Sequence, residues 1–412
     1  MNIYFIIIIG IILFEYILSC IVKYLNIIAL DPHLPSDFSD TFDKEKYQKS
    51  QEYTKINTKF SLITSTFTLF IGLVFIFSGF YNIVDLYSRS MGYGEIITGI
   101  IFFGVLTIIT DVLNLPFSIY STFVIEERFG FNKTTPKIFI LDKIKQYFLL
   151  GLIGIPVISL VLYFFGSLGE YAWIYIWIFF VSFSMIMQPI FNSFIAPLFN
   201  KFTPIEEGPL LDKIRAYLSK VDFPVKKLEI MDGSKRSSHS NAYFSGIGKN
   251  KRIALFDTLV EQMDEDEIVS VIAHEVGHYK LKHIYSGIVL SAVQSGLMLY
   301  ILSLFLLNPD LFSVFKMENL SVYASLLFFT MLYAPISMLT GVIFSVISRN
   351  NEFSADEYSA KTFEMPLALI SGLKKMSKEN LSNLTPHWLN VFLNYSHPPV
   401  LQRIEALKQH IK

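Results

Sequence analysis

The sequence predicts a mainly α, polytopic seven-helix membrane protein with a small α+β segment on the cytosolic side. Three observations carry this. Of the 412 residues, 52% are hydrophobic and 17% charged, and the mean hydropathy is +0.46, a balance typical of integral membrane proteins. Seven stretches are apolar and long enough to cross a bilayer, roughly 3–22, 61–84, 96–120, 147–165, 171–192, 284–307 and 321–347. Between the fifth and sixth lies a mixed, largely polar region that ends in His274-Glu275-Val276-Gly277-His278.

Residues 1–192 form a membrane half of five spans with two basic loops. The first apolar run lacks a basic n-region and a small-residue cleavage site, so it reads as a retained span rather than a signal peptide. The fourth and fifth spans meet in a tight Gly166-Ser167-Leu168-Gly169-Glu170 turn, which leaves a single re-entrant hairpin as the alternative. Residues 193–283 are the mixed segment, 284–347 a membrane hairpin and 348–412 a tail. Seven spans put the two termini on opposite sides. Of the 34 Lys and Arg residues, all but Arg89 and Lys316 fall in 23–60, 121–146, 193–283 and 348–412. By the positive-inside rule the N-terminus is outside and these segments are cytosolic. The membrane is then the endoplasmic reticulum in a eukaryote or the cytoplasmic membrane in a bacterium. Glu15 and Asp111 fall within apolar stretches, where an ionisable group is expected to face a cavity or a partner.

A net charge of −1 argues against a nucleic-acid partner. Cys20 is the one cysteine, so an internal disulfide and a Cys-rich metal cluster are excluded, and its place in the first span gives no support to thiol catalysis.

Within the mixed segment, Lys226–Asp232 (KKLEIMD) and Arg252–Phe256 (RIALF) read as short strands. Between them Ser237–Phe244 is polar and small, followed by Gly246 and Gly248. It reads either as an edge strand able to pair with an extended peptide or as a hairpin loop. Asp264 to Glu267 (DEDE) then open a helix, where acids suit the positive end of its dipole; they need no chemical role.

Residues four apart share a helix face, so His274 and His278 can hold one metal ion, with Glu275 beside them to deprotonate metal-bound water. That is the arrangement of zinc peptidases; cobalt or manganese would also suit the donor set, with zinc favoured. A catalytic site needs a third protein ligand. His283, His387, His397 and the acids after the seventh span are candidates. On a continuous helix His283 is rotated away from the metal face and reads as an interfacial histidine. Glu352 follows directly on the seventh span, and Asp356, one turn on, could accept a hydrogen bond from a ligand imidazole. Taken alone, this pair reads rather as a solvated acidic face.

The HEVGH pentapeptide, Ser348–Asp356 (SRNNEFSAD) and Ser396–Ile404 (SHPPVLQRI) together resemble the type I CAAX prenyl proteases, integral-membrane zinc endopeptidases of the gluzincin group. Tyr47–Tyr53 (YQKSQEY), Glu126–Lys133 (EERFGFNK), Arg236–Phe244 (RSSHSNAYF) and Asn250–Leu259 (NKRIALFDTL) are similar to that family's loops and middle segment, so the likeness covers nearly the whole chain. The resemblance implies one zinc held by His274, His278 and Glu352, with Glu275 as base. It further implies a substrate strand at Asn241-Ala242-Tyr243, with His397 facing the tetrahedral intermediate and Arg403 holding a carboxylate. It also implies spans that enclose an intramembrane chamber, and a lipid-modified, prenylated peptide or protein substrate met in contact with membrane lipid.

Three rivals make different demands. A quality-control membrane protease would act without a prenyl group, though such relatives are shorter. A site-2-type protease would bury its HExxH within a span. A transporter or scaffold gives no reason for Glu275 beside two metal histidines.

Overall fold

The computed structural model describes residues 2–245 and 251–411; Gly246, Gly248 and Asn250 lie outside them. In chain order the first half comprises α1 (Ile3–Ile28), α2 (Lys44–Ser78), α3 (Phe80–Ser90), α4 (Glu95–Phe129), α5 (Pro136–Ser167) and α6 (Gly169–Phe199). The second half adds α7 (Pro209–Lys220), α8 (Glu265–Lys280), α9 (His283–Phe305), α10 (Pro309–Val314), α11 (Val322–Phe363), α12 (Pro366–Glu379), α13 (Trp388–Asn394) and α14 (Val400–Lys408). Among the described residues seven helices are long and apolar enough to span a membrane: α1, α2, α4, α5, α6, α9 and α11.

Several expected boundaries move, each for a local reason. The second span was expected to reach residue 84, but its helix stops at Ser78 because Gly79 adopts a left-handed φ of +72°. The chain turns there into α3, whose Tyr81 packs edge-on against Phe315 and Phe328. The first helix extends past residue 22, and Lys23 is anchored across the gap by Ser65 Oγ (2.7 Å) and the Ser61 carbonyl (3.2 Å) of α2. Spans four and five are two full helices rather than one hairpin, turning at Gly169 with φ +59°. Asp111 meets a partner, as an acid in a span should: Lys143 Nζ of α5 lies 2.6 Å away and the Tyr147 hydroxyl also donates to it.

The spans form a closed ring. Around it α1 packs on α2, α4 on α5, α5 on α6, α6 on α9, α9 on α11 and α11 on α1. Phe60 and Phe67 of α2 meet Phe117 and Tyr120 of α4 to complete it. A solid bundle would bury a stripe along the whole length of each helix. Here every span has a long stretch without a buried residue: 9–21, 51–75, 107–124, 136–160, 177–195, 283–298 and 334–351. The apolar cores sit at the two ends. At one, Ile8, Ile76, Phe102, Phe312, Phe315 and Phe328 pack together; at the other lies the core of the catalytic segment. The ring therefore surrounds an open middle.

The mixed segment folds as a four-stranded sheet with β1 (Phe202–Pro204), β2 (Lys227–Met231), β3 (Ala242–Ser245) and β4 (Arg252–Phe256) in the order β1-β2-β4-β3. Because β2 and β4 run parallel, a simple hairpin between them is excluded. The polar segment instead crosses over and adds β3 antiparallel to β4 as an edge strand. The sheet covers α8, where Ile268, Val269, Ile272, Ala273 and Val276 are fully enclosed with Ile253, Leu255 and Leu259.

Candidate active site

Helix α8 begins with a capping box in which Asp264 and Glu267 satisfy each other's backbone N–H groups. Glu267 is further held by Ser371 Oγ (2.5 Å) and Lys375 Nζ (2.7 Å), so the acids at this helix start are structural. This firm start fixes the rotation of the helix. His274 and His278 consequently face α11, with their Nε2 atoms 3.1 Å apart. Glu352 comes from the end of α11 that projects beyond the open ring, placing its carboxylate oxygens 3.4 Å from His274 Nε2 and 3.2 Å from His278 Nε2.

Gly277 is what lets the two helices come this close. A Cβ at that position would lie 3.2 Å from the Ala355 Cα and carbonyl oxygen. Gly277→Ala is therefore expected to push α8 and α11 apart, at a cost of about 1–3 kcal/mol, with weaker zinc binding. Thermal melts and zinc titration of the purified variant would check this, and unchanged values would refute it.

A buried ion network stands behind the ligands. His274 Nδ1 lies 2.8 Å from Asp356 Oδ1, which fixes the ring so that Nε2 points to the ligand cluster. Arg403 of α14 grips Asp356 through Nε (2.7 Å) and Nη2 (2.6 Å), and its Nη1 is 3.4 Å from Glu352. Burial opposes ionisation of His274, but Asp356 and Glu352 outweigh it and raise its pKa to about 9. Metal binding at neutral pH must therefore displace a proton, so affinity falls as pH falls. Burial likewise works against the Arg403 charge, and the carboxylates of Asp356 and Glu352 more than restore it.

The donor set fits a single zinc ion. One ligand atom from each of His274, His278 and Glu352 lies within 4.8 Å of the other two. Glu352 Oε2 is buried without a well-formed hydrogen bond among the described residues. His274 Nε2 and Arg403 Nη1 stand 3.4 Å from it, an arrangement that a cation between the histidines and the carboxylate would complete.

The remaining histidines separate clearly. His397 Nε2 lies 3.3 Å from Glu352 Oε1 on a largely exposed ring, and Ser396 Oγ meets its Nδ1 at 2.9 Å. His387 is away from the cluster and caps α13, accepting from the Leu389 N–H. The placement expected for His283 is wrong. The metal helix ends at Lys280, Lys282 takes a left-handed φ of +63°, and His283 opens α9. Its Nδ1 returns to within 3.0 Å of His278 Nδ1, so it supports the second ligand as Asp356 supports the first. Spacing along one continuous helix could not reveal this.

Glu275 is half-buried beside the histidines and lines a cavity of about 450 Å³ with His278, His283, Phe244, Ile284, Leu290, Phe344 and Ile347. The site thus opens onto α9 and α11 of the ring, while the HEVGH helix itself lies in the α+β segment rather than within a span. Edge strand β3 supplies Phe244 to the same cavity. The Asn241 carbonyl accepts from Phe256 N–H at 3.0 Å. By the alternation of an antiparallel ladder, Ala242 and Phe244 then direct their backbone groups to the open edge.

A polytopic helix ring carrying a His-His-Glu zinc cluster on its α+β segment defines an integral-membrane zinc metalloendopeptidase. Residues 23–201 match the family model described as CAAX prenyl protease N-terminal, five membrane helices, and residues 204–411 match peptidase family M48. The chain is 34% identical to the CAAX prenyl protease 1 homolog of Homo sapiens, over 91% of this chain and 89% of that one. It is 36% identical to the Arabidopsis thaliana homolog, over 97% and 96% respectively. The crystal structure of S. mikatae Ste24p superposes with a TM-score of 0.94 at 32% identity, covering 98% of this chain and 99% of that one. The chain belongs to the CAAX prenyl protease 1 family.

Proposed function

We propose that this endopeptidase cuts near the C-terminus of prenylated CAAX-type proteins, on the cytosolic face of its membrane, with the residues in the following roles. His274, His278 and Glu352 hold zinc, which when bound acts as a Lewis acid toward the scissile carbonyl and the attacking water. Glu275 takes a proton from that water and returns it to the leaving amine. His397, on the exposed side of the ligand cluster, donates to the oxyanion as charge develops. Asp356 and Arg403 keep His274 and Glu352 oriented. The Asn241-Ala242-Tyr243 stretch aligns the substrate backbone, with Ala242 presenting its N–H and carbonyl at the open edge.

The observation that carries the lipid-linked reading is the cavity shared by Glu275, His278 and the spans. A soluble peptide has no need of a site that opens between membrane helices; a peptide with an apolar anchor does. The concentration of Lys and Arg in 23–60, 121–146, 193–283 and 348–412 supports a cytosolic catalytic face.

The test uses two matched peptides, one farnesylated on the CAAX cysteine and one bare, with purified protein in detergent or vesicles. The farnesylated peptide is expected to be cut at least tenfold more efficiently, and a chelator should abolish cleavage of both. Equal cleavage would keep the peptidase but replace the prenyl reading with general membrane proteolysis.

A further inference from the structure

Edge strand β3 is bonded on one side to β4 and, among the described residues, pairs with no strand on the other, so something must hold it at a fixed distance from the metal. The residues just before it are secured by the membrane half of the chain. Ser237 forms a β-bridge with Asn132, Ser238 N–H donates to the Phe131 carbonyl at 3.1 Å, and Lys133 N–H donates to the Arg236 carbonyl at 3.0 Å. Arg236 clasps Asp142 of α5 through Nε (2.7 Å) and Nη2 (2.9 Å).

His239 is the centre of this arrangement. Its ring stacks on Phe131 with centroids 3.9 Å apart and planes 19° from parallel. Its Nε2 is 3.5 Å from Glu126 Oε2 at the end of α4, and the other Glu126 oxygen accepts from the Tyr53 hydroxyl of α2 at 2.8 Å. On the far side its Nδ1 is 3.3 Å from Asn380 Oδ1. Asn380 also accepts from Ser240 N–H (2.9 Å) and donates to the Ser240 carbonyl (3.2 Å), one residue before Asn241. Three spans, α2, α4 and α5, and the tail thus converge on the residues that lead into β3. Neither His239 nor Glu126 is a neighbour of the zinc cluster.

We propose that His239, braced by Glu126, Tyr53 and Phe131, is a positioning residue for substrate binding: it registers the open edge of β3 against the membrane helices. This rests on the reading of β3 as the substrate strand. A residue with that role changes the fit of the peptide and leaves the metal chemistry intact. Its loss therefore moves KM and spares kcat.

Steady-state kinetics on the full-length protein with a farnesylated peptide, alongside zinc content, would test it. His239→Ala should raise KM about tenfold, as expected for one or two lost hydrogen bonds, with kcat within about twofold and zinc unchanged. Glu126→Gln and Tyr53→Phe should raise KM less, in that order. His239→Phe, which keeps the stack on Phe131, should restore part of the loss. Ala242→Pro tests the strand reading separately, because it removes a backbone N–H facing the open edge. If Ala242→Pro raises KM and the His239 and Glu126 variants do not, the brace is refuted and the strand reading stands. If Ala242→Pro leaves KM unchanged, the strand reading fails and takes the brace with it. Should His239→Ala fold poorly, an unchanged KM in both Glu126→Gln and Tyr53→Phe refutes the proposal equally well.

Discussion

Glu275→Ala is expected to lower kcat about 10³-fold, the middle of the range for loss of a general base, while zinc content stays at that of the native protein. The residue lies beside the ligand pair on α8 and lines the cavity where a peptide would meet the metal. It is absent from the metal cluster itself, which is complete with His274, His278 and Glu352. Metal analysis and turnover on the same preparation separate the two roles. Activity within tenfold of native would exclude Glu275 as the base, and lost zinc would make it a ligand instead.

Asp356→Ala should have the second largest effect, through two losses at once. His274 loses the carboxylate that orients its ring, which typically lowers metal affinity by about 10- to 100-fold. Arg403, gripped at 2.6 and 2.7 Å by Asp356 and buried, loses its closest counter-charge and keeps the more distant Glu352 at 3.4 Å. Breaking a buried pair from one side costs about 3–5 kcal/mol. Zinc titration against a competing chelator and thermal melts should move together. A variant with native zinc affinity would show that Asp356 is dispensable to the ligand sphere.

Half of the metal cluster was legible in the sequence from local helical spacing, because His274 and His278 share a face by their four-residue separation. Glu352 and Asp356 share a face in the same way two spans later, but that spacing alone equally described a solvated acidic face, and it was the resemblance of the surrounding motif that made Glu352 the third ligand. What was not legible depended on backbone turns that side chains do not advertise. Lys282 adopts a left-handed conformation that non-glycine residues seldom take, so the return of His283 to His278 could not be read from spacing. Gly79 ends α2 in the middle of an apolar run, and glycine is too common in membrane helices for one to mark a break. Hydropathy gives span lengths but not neighbours, so the order of helices around the ring and the brace on His239 emerge only in three dimensions. The edge strand lay between these cases: its composition allowed strand or loop, and the parallel pairing of β2 with β4 decided it.

The open middle of the ring also determines where the protein can change. No side chain in stretches such as 51–75, 107–124 and 334–351 is buried. Away from helix contacts such as those of Tyr53, Phe60, Phe67, Phe117, Tyr120 and Arg349, altering their size therefore avoids the cavity and overlap costs that penalise a packed core. Residues at the two ends, such as Phe315 and Phe328 stacked 3.7 Å apart or Ala355 against Gly277, have no such freedom. Stability and interior shape are therefore separable in this molecule. The volume inside the ring can drift through many substitutions while the ends that hold the cage together, and the metal-ligand cluster built on one of them, stay as they are.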